Sequence, residues 1–331
     1  MTDNLVFLKY TFCFARIKAF IKKESVLSIA VTLAVVSSFI SVPKISYIDF
    51  SVLALLFNLM AVVAAYKKLR VMDFLAVSIL KKCSCFRVVS SALVFITSFA
   101  SMIITNDVAL ITFVPLSIIV AKKADINPIK IIVLQTLAAN LGSCFTPIEN
   151  PQNLYIYSYY KIPAVTFFSV TGIIIAVSVV FIGLIVLFMK NKKINIEFNI
   201  IKPESMRDIY AFTILFIAII LSVFNIIDYK TMFIITVLTV FIIDKKLFSD
   251  IDYSLLITFI GFFIFIGNIS SSHQIRHFIN SLLGNPENTY FISILSSQFI
   301  SNVPATMLLS GFTEHYRELL LGVNIGVWEP L

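Results

Sequence analysis

The stretch "SMIITNDVALITFVP", residues 101–115, holds an amide and a carboxylate, Asn106 and Asp107, inside an otherwise apolar run. An aspartate at the centre of a membrane helix costs roughly 2.5–3.5 kcal/mol on insertion scales, so an ionisable group there indicates a functional site by default. The alternative is that Asp107 only caps the helix that follows it. The choice between the two depends first on whether this run lies in a membrane.

The composition is that of a membrane protein. Of the 331 residues, 59% are hydrophobic and 13% are charged, and the mean hydropathy is +0.97. Several apolar runs approach or exceed the ~20 residues that cross a ~30 Å hydrocarbon core. They are 26–41, 50–66, 164–189, 209–227, 231–243 and 253–269. Because backbone amides in lipid must bond within the chain, and because the alternation of a membrane barrel is absent, the sequence predicts an all-α polytopic membrane protein.

The lysines and arginines predict the topology, since cytoplasmic loops collect them. A layout with a cytoplasmic N-terminus places 21 of the 26 inside the cell membrane. It divides the chain into a cytoplasmic segment 1–24, a first transmembrane repeat 25–189, a cytoplasmic linker 190–207 and a second repeat 208–331. Topology therefore explains the net charge of +8, and a nucleic-acid partner is not expected. No cleavable signal peptide is evident, and the four cysteines have neither metal-site nor disulfide spacing.

Two parts of the chain repeat each other. "YIDFSVLALLF" begins at Tyr47 and "DIDYSLLITFI" begins at Asp250. Each is followed by a short amphipathic segment (70–82 and 273–284), then by a hydrophobic hairpin with a polar tip (87–121 and 288–312). "LAANLGS" and "LGVNIG" come next. In the predicted topology the hairpins enter from opposite sides, which indicates two inverted-topology repeats with re-entrant hairpins, an arrangement typical of secondary transporters.

Polar segments interrupt the apolar runs at three places. The two hairpin tips leave helix-end amides unpaired, which is tolerated in a membrane only where they line a cavity or face a ligand. The third is 146–153, within a predicted broken helix 130–160; the alternative is a solvated loop. His273 and His277 share one helix face, where an interfacial position is favoured over a metal site because no third ligand accompanies them.

The motifs "TNDVALITFVPL", "TPIENPQNLYIYS" and "SNVPATMLLSGF" together resemble the ion-transporter superfamily of arsenite and citrate permeases and sodium–dicarboxylate symporters, in particular its small bacterial anion-permease-like members. The resemblance runs from about residue 26 to residue 326. It implies two inverted repeats, each with a re-entrant hairpin and a broken helix. It also implies a transporter rather than an enzyme, which couples a small anion to Na⁺ or H⁺ by elevator-like movement, uses no other cofactor, and is compatible with a homodimer.

The resemblance also implies two ion sites. The first would use Thr105, Asn106, Asp107, Asn140, Thr146, Asn150, Gln152 and Asn153, and the second would use Ser301, Asn302, Thr306 and Asn324. Na⁺, if it is the coupling ion, would bind at Asn106, Asp107 and Asn302.

The sequence departs from the family pattern in two ways. Glu149 stands where the family usually has glycine, and a carboxylate there could alter ion coupling or repel an anion. The repeat offset of 203 residues puts the counterpart of the 146–153 break near position 350, beyond Leu331, so the second repeat is expected to be incomplete. Three alternatives stay open: a truncated relative that does not transport, a Na⁺/H⁺ antiporter-like member, and a membrane-embedded hydrolase. Citrate-like carboxylates, arsenite and other oxyanions all remain open as substrates.

Overall fold

The structure is a computed structural model that describes residues 24–81, 83, 85–189, 191–193 and 203–326. Within these residues it contains fifteen α-helices and two 3₁₀-helices, and its only strand-like feature is a single bridge between Cys85 and Lys193. The predicted cytoplasmic segment 1–24 lies outside the described residues apart from Glu24, as do most of the predicted linker 190–207 and the last five residues.

The helices follow one another in this order: α1 Ser25–Ser37, α2 Phe50–Lys68, α3 Val71–Leu80, α4 Phe86–Ala100, α5 Asn106–Ala124, α6 Ile129–Ser143, α7 Pro151–Tyr159, α8 Ala164–Leu187, α9 Met206–Val223, α10 Tyr229–Ile243, α11 Tyr253–Ser270, α12 His273–Leu282, α13 Pro286–Ile300, α14 Asn302–Ser310 and α15 Tyr316–Ile325. The 3₁₀-helices Ile45–Tyr47 and Lys245–Asp250 precede α2 and α11.

Four helices, α2, α8, α9 and α11, are long and apolar enough to cross a membrane. The 24 residues of α8 include no charged side chain, and Val165 and Phe188 at its two ends are 82% and 83% exposed. Large apolar side chains that face outward along such a helix are suited to lipid contact rather than to water. The prediction of an all-α polytopic membrane protein is therefore confirmed.

The order of elements is repeated along the chain. The series α1, 3₁₀-helix, α2, α3, α4, α5, α6 matches α10, 3₁₀-helix, α11, α12, α13, α14, α15. Equivalent residues even start equivalent helices: the Asp49 carboxylate accepts the N–H of Ser51 (2.9 Å) before α2, and the Asp252 carboxylate accepts the N–H of Leu255 (3.0 Å) before α11. The packing is repeated as well, because α1 packs on α11 as α10 packs on α2.

The two long helices α2 and α11 run antiparallel. Near the end of α11, the Asn268 amide donates to the Ser37 hydroxyl (3.1 Å) at the end of α1, which leads into α2. At the other end, Lys68, the last residue of α2, forms an ion pair with Asp244, shortly before α11. The end of each helix thus lies near the start of the other, as inverted repeats require. The orientation of the halves relative to the cytoplasm stays a prediction.

The two predicted hairpins correspond to α4–α5 and α13–α14, and the predicted broken helix to α6–α7. The second hairpin is shorter, because one residue, Ser301, separates its helices, and α14 has 9 residues where α5 has 19. The repeat offset consequently falls from 203 residues at Asp49 and Asp252 to 184 at Asn140 and Asn324. The counterpart of the break therefore begins near residue 331 rather than near 350, which corrects the expectation from the unshifted offset.

Two cavities, of about 950 and 800 Å³, lie at opposite ends of α2 and α11. They are lined by equivalent positions of the two halves. Met60, Ala64, Lys67 and Lys68 of the first cavity correspond to Phe263, Gly267, Ser270 and Ser271 of the second. Ser249 and Asp252 of the first likewise correspond to Ser46 and Asp49 of the second.

Helix α6 packs on α4 so closely that a Cβ at Gly142 would lie 2.3 Å from the carbonyl oxygen of Ser98. We expect Gly142→Ala to lower the free energy of unfolding by about 1–3 kcal/mol, the usual cost of overpacking. Gly172→Ala in α8 is the matched control, because a Cβ there would meet nothing within 4 Å. Thermal unfolding of the purified protein in detergent measures both, and equal melting temperatures for the two variants would contradict this packing.

The equivalent serines Ser46 and Ser249 are both exposed and line different cavities, so they test the inverted topology. In a background without the four native cysteines, we expect Ser46→Cys to react with a membrane-impermeant thiol reagent in intact cells. Ser249→Cys should react only after permeabilisation, because its cavity is predicted to open to the cytoplasm. Labelling of both positions from the same side would refute the predicted orientation.

Candidate transport site

The larger cavity brings the first hairpin tip and the first break together. Thr105, Asn106 and Asp107 line it from the tip, and Glu149 and Asn150 line it from the break. Helix α2 supplies apolar lining and the two lysines at its end, and the segment before α11 completes the wall. Five of the residues predicted for the first ion site or its vicinity therefore share one cavity.

The start of α5 is held by side chains from α6 and the break. The Asn106 amide nitrogen donates to the Asn140 Oδ1 (2.8 Å), and the Asn106 Oδ1 accepts the N–H of Asp107 (2.9 Å). The backbone N–H of Asn106 donates to the Glu149 Oε1 (2.7 Å). These bonds satisfy two of the amides that every helix start leaves without an intrahelical partner.

Asp107 does not cap α5. The residue before the helix is Thr105, which makes no side-chain capping bond, and Asp107 is the second residue of the helix, where its own N–H is capped by Asn106. The Asp107 side chain is exposed and lines the cavity. The capping interpretation is therefore wrong for this residue, although a carboxylate in the first turn still interacts favourably with the helix dipole.

The break at 144–150 is a buried part of the molecule, and the solvated-loop alternative is wrong. Glu149, Asn150, Gln152 and Asn153 are 6%, 7%, 5% and 0% exposed. The Thr146 hydroxyl donates to the carbonyl oxygen of Met102 (2.8 Å) in the hairpin turn, which ties the break to the tip. The side chains of this segment thus supply the hydrogen bonds that a broken membrane helix needs.

Asn150 and Asn153 point to different parts of the protein. The Asn150 amide donates to the Ser143 hydroxyl (2.9 Å) beside the cavity. The Asn153 amide donates to the carbonyl oxygens of Cys144 (3.2 Å) and Thr146 (3.3 Å), and so stabilises the break itself.

The second predicted site is joined to the first break. The Asn324 amide donates to the Asn153 Oδ1 (2.8 Å), although the two residues were assigned to different ion sites. Asn302 and Thr306 are buried, at 9% and 0% exposure, and the Thr306 hydroxyl has no hydrogen-bond partner among the residues described. Neither these residues nor Ser301 line the 950 Å³ cavity. The structure therefore groups the first set around a cavity and the second set around a closed polar contact.

The second tip is strained. Ser301 has φ 71° and ψ 159°, a conformation that is essentially restricted to glycine. Non-glycine residues persist in such conformations only where the surroundings impose them, and such sites are concentrated in functional regions.

The charges around the 950 Å³ cavity are mixed. Lys67, Lys68 and Lys246 lie on the walls opposite the tip, and all three are exposed. Lys68 forms the ion pair with Asp244, and this contact lowers the pKa of the Asp244 carboxyl. Four carboxylates, those of Asp107, Glu149, Asp250 and Asp252, line the same cavity.

Sequence analysis missed several contacts of this region. Glu149 was noted as a departure from the family but was not assigned to the site, and its proximity to Asn106 could have been suspected only from the motif alignment. The tyrosine hydroxyl of Tyr155 accepts from the Ser310 hydroxyl (3.0 Å), and Tyr160 donates to the carbonyl oxygen of Thr313 (2.8 Å). These bonds connect α7 to the second hairpin, and no local sequence signal indicates them.

The two histidines are exposed on α12, His273–Leu282, which has no buried residue. No group of three or more metal-ligating His, Cys, Asp or Glu side chains occurs within the described residues. The interfacial interpretation of this helix stays a prediction.

The strain at Ser301 can be measured with two variants that both remove its hydroxyl. We expect Ser301→Gly to be more stable than Ser301→Ala by about 1–3 kcal/mol, since only glycine adopts this backbone conformation without cost. Thermal unfolding in detergent measures the difference. Equal stability of the two variants would mean that the tip is not strained.

Comparison with known proteins places these features in one family. The family model for the citrate transporter matches residues 13–317. An uncharacterized transporter of Methanocaldococcus jannaschii is 32% identical over 281 residues, which cover 82% of this chain and 74% of the relative. The inner membrane protein YbiR of Escherichia coli is 24% identical over 285 residues, 84% of this chain and 76% of the relative. A shorter match, 27% over 157 residues, links 46% of this chain to 28% of the transporter arsB of Dictyostelium discoideum. The chain therefore belongs to the citrate transporter family.

Proposed function

We propose that this chain is a secondary active transporter that moves a small anion, a carboxylate or an oxyanion, across the cytoplasmic membrane in exchange for the energy of a Na⁺ or H⁺ gradient. Family membership supports the general class of transporter. The anion, the coupling ion and the mechanism are the article's proposal, as is a homodimeric assembly.

One observation carries this proposal. The start of α5 and the break between α6 and α7 meet at a cavity, and they are joined there by the Asn106–Asn140 and Asn106–Glu149 hydrogen bonds. Helix starts attract anions, while carboxylates and carbonyl ends hold cations, so a tip beside a break provides sites for both in one place.

Alternating access would use the two cavities at opposite ends of α2 and α11. The cavity at the first tip is lined by three lysines, and the lysine rule predicts that it opens to the cytoplasm. The two hairpins form packed groups with their following helices, α4–α6 and α13–α15, whereas α1 packs on α11 and α2 packs on α9 and α10. Movement of the hairpin groups against these long helices would close one cavity and open the other.

A Na⁺/H⁺ exchanger is the second candidate. It is favoured by the presence of two carboxylates, Asp107 and Glu149, in the cavity at the first tip. Such an exchanger would move cations with no dependence on an organic or inorganic anion.

The first test is uptake by the purified chain in proteoliposomes under an imposed Na⁺ or H⁺ gradient. We expect saturable uptake of an anion, and we expect Asp107→Asn to abolish or uncouple its ion dependence because the variant removes a carboxylate from the cavity. Asp125→Asn is the matched control: Asp125 is exposed at the other end of α5, and asparagine tolerates its left-handed conformation (φ 55°).

The outcomes separate the candidates. Cation exchange without anion uptake would favour the exchanger. Ion-coupled anion flux that is unchanged in Asp107→Asn would remove Asp107 from the coupling site, and no flux of either kind would overturn the proposal.

A further inference from the structure

Glu149 acts as a built-in anion at the first hairpin tip. Its Oε1 accepts the N–H of Asn106, the first residue of α5, at 2.7 Å. An anion bound at this helix start would need that same amide, because helix N-termini bind anions through their unpaired N–H groups. The family position is usually glycine, which has no side chain to offer, so this carboxylate occupies a place that a substrate could otherwise take.

The second oxygen of Glu149 has no partner. The residue is 6% exposed and lines the cavity, and no donor among the described residues reaches its Oε2 within hydrogen-bond distance. A buried acceptor without a donor is costly, and an ionised one more so. The site therefore favours a molecule that brings a hydrogen-bond donor to Oε2.

The surrounding charge points in the same direction. Asp107 lines the cavity beside Glu149, and the cationic side chains, Lys67, Lys68 and Lys246, are exposed on the other walls. Lys68 is already paired with Asp244. A multiply charged anion would meet two carboxylates at the tip, whereas an uncharged or singly charged one would meet far less repulsion.

We propose that Glu149 determines substrate specificity at this site, and that it selects a small hydroxylated oxyacid which arrives uncharged or singly charged and donates an O–H to Oε2. A fully ionised di- or tricarboxylate is selected against. The inference rests on the proposed function, whose anion class it narrows, and it assigns to Glu149 a role in recognition rather than in coupling.

The test compares two solutes in proteoliposomes that hold the full chain, with both Na⁺ and H⁺ gradients imposed. Arsenous acid, which is uncharged at neutral pH, is the hydroxylated probe, and citrate is the multiply charged probe. We expect the wild-type chain to take up arsenous acid and to take up citrate at least about tenfold more slowly, on the scale of one unit-charge repulsion near a protein surface. Glu149→Gln keeps the side-chain shape but removes the charge, and it should shift the ratio towards citrate by about tenfold.

Glu314→Gln is the matched control, because Glu314 is exposed and does not line the cavity; its ratio should equal that of the wild type. A thermal-shift measurement on the wild-type chain in detergent adds a second readout: arsenous acid should raise its melting temperature and citrate should not, since a ligand stabilises the state that binds it. This measurement decides the matter even if Glu149→Gln does not fold.

Faster uptake of citrate than of arsenous acid by the wild type would overturn the inference while leaving the proposed anion transport intact. An unchanged ratio in a folded Glu149→Gln variant would overturn the role of Glu149. Uptake of neither solute, with no thermal shift by either, would overturn the inference, and the absence of flux for any anion would overturn the proposed function with it.

Discussion

The rest of this structure depends on one constraint, the need to satisfy the amides of a helix that starts inside a membrane. Helix α5 begins at Asn106, within a hairpin flanked by apolar helices, where water would not compensate an unpaired N–H. The amides of Asn106 and Asp107 are instead satisfied by the Glu149 carboxylate and the Asn106 side chain. The broken helix must therefore lie beside the hairpin tip, because it supplies the acceptor. The cavity that results is polar at this point for the same reason.

A second consequence is the connection between the halves. The first break does not serve its own half alone, because Asn153 bonds to Asn324 of α15 and the hydroxyl of Tyr155 bonds to Ser310 of α14. Buried amide and hydroxyl pairs of this kind fix one relative position of two elements, since each partner left alone would be an unsatisfied buried group. A movement that opens the other cavity must either carry α7 with the second hairpin or exchange these bonds for others.

The sequence predicted the architecture better than the contacts, for physical reasons. Long apolar runs with few charges must be helices in lipid, which is why α2, α8, α9 and α11 were predicted, and a carboxylate in such a run marks the tip at Asp107. The Asn106–Glu149 bond spans 43 residues and depends on the length of a hairpin turn and the rotation of α7, which no local pattern encodes. The shorter second hairpin had the same effect on the repeat offset, because an offset read at Asp49 and Asp252 does not carry past a turn of different length.

The two carboxylates at the first tip reverse the usual expectation for an anion transporter. Asp107 and Glu149 contribute negative charge where a helix start would attract an anion, and the lysines that could balance them are exposed on other walls, one of them paired with Asp244. The tip therefore resembles a site in which a cation or a proton donor must be present before an anion can stay. Because each bound species then removes a charge that opposes the other, the affinity for one rises with the occupancy of the other. Coupling of solute to ion is thus a direct consequence of placing an extra carboxylate at a helix start, and it requires no long-range transmission through the fold.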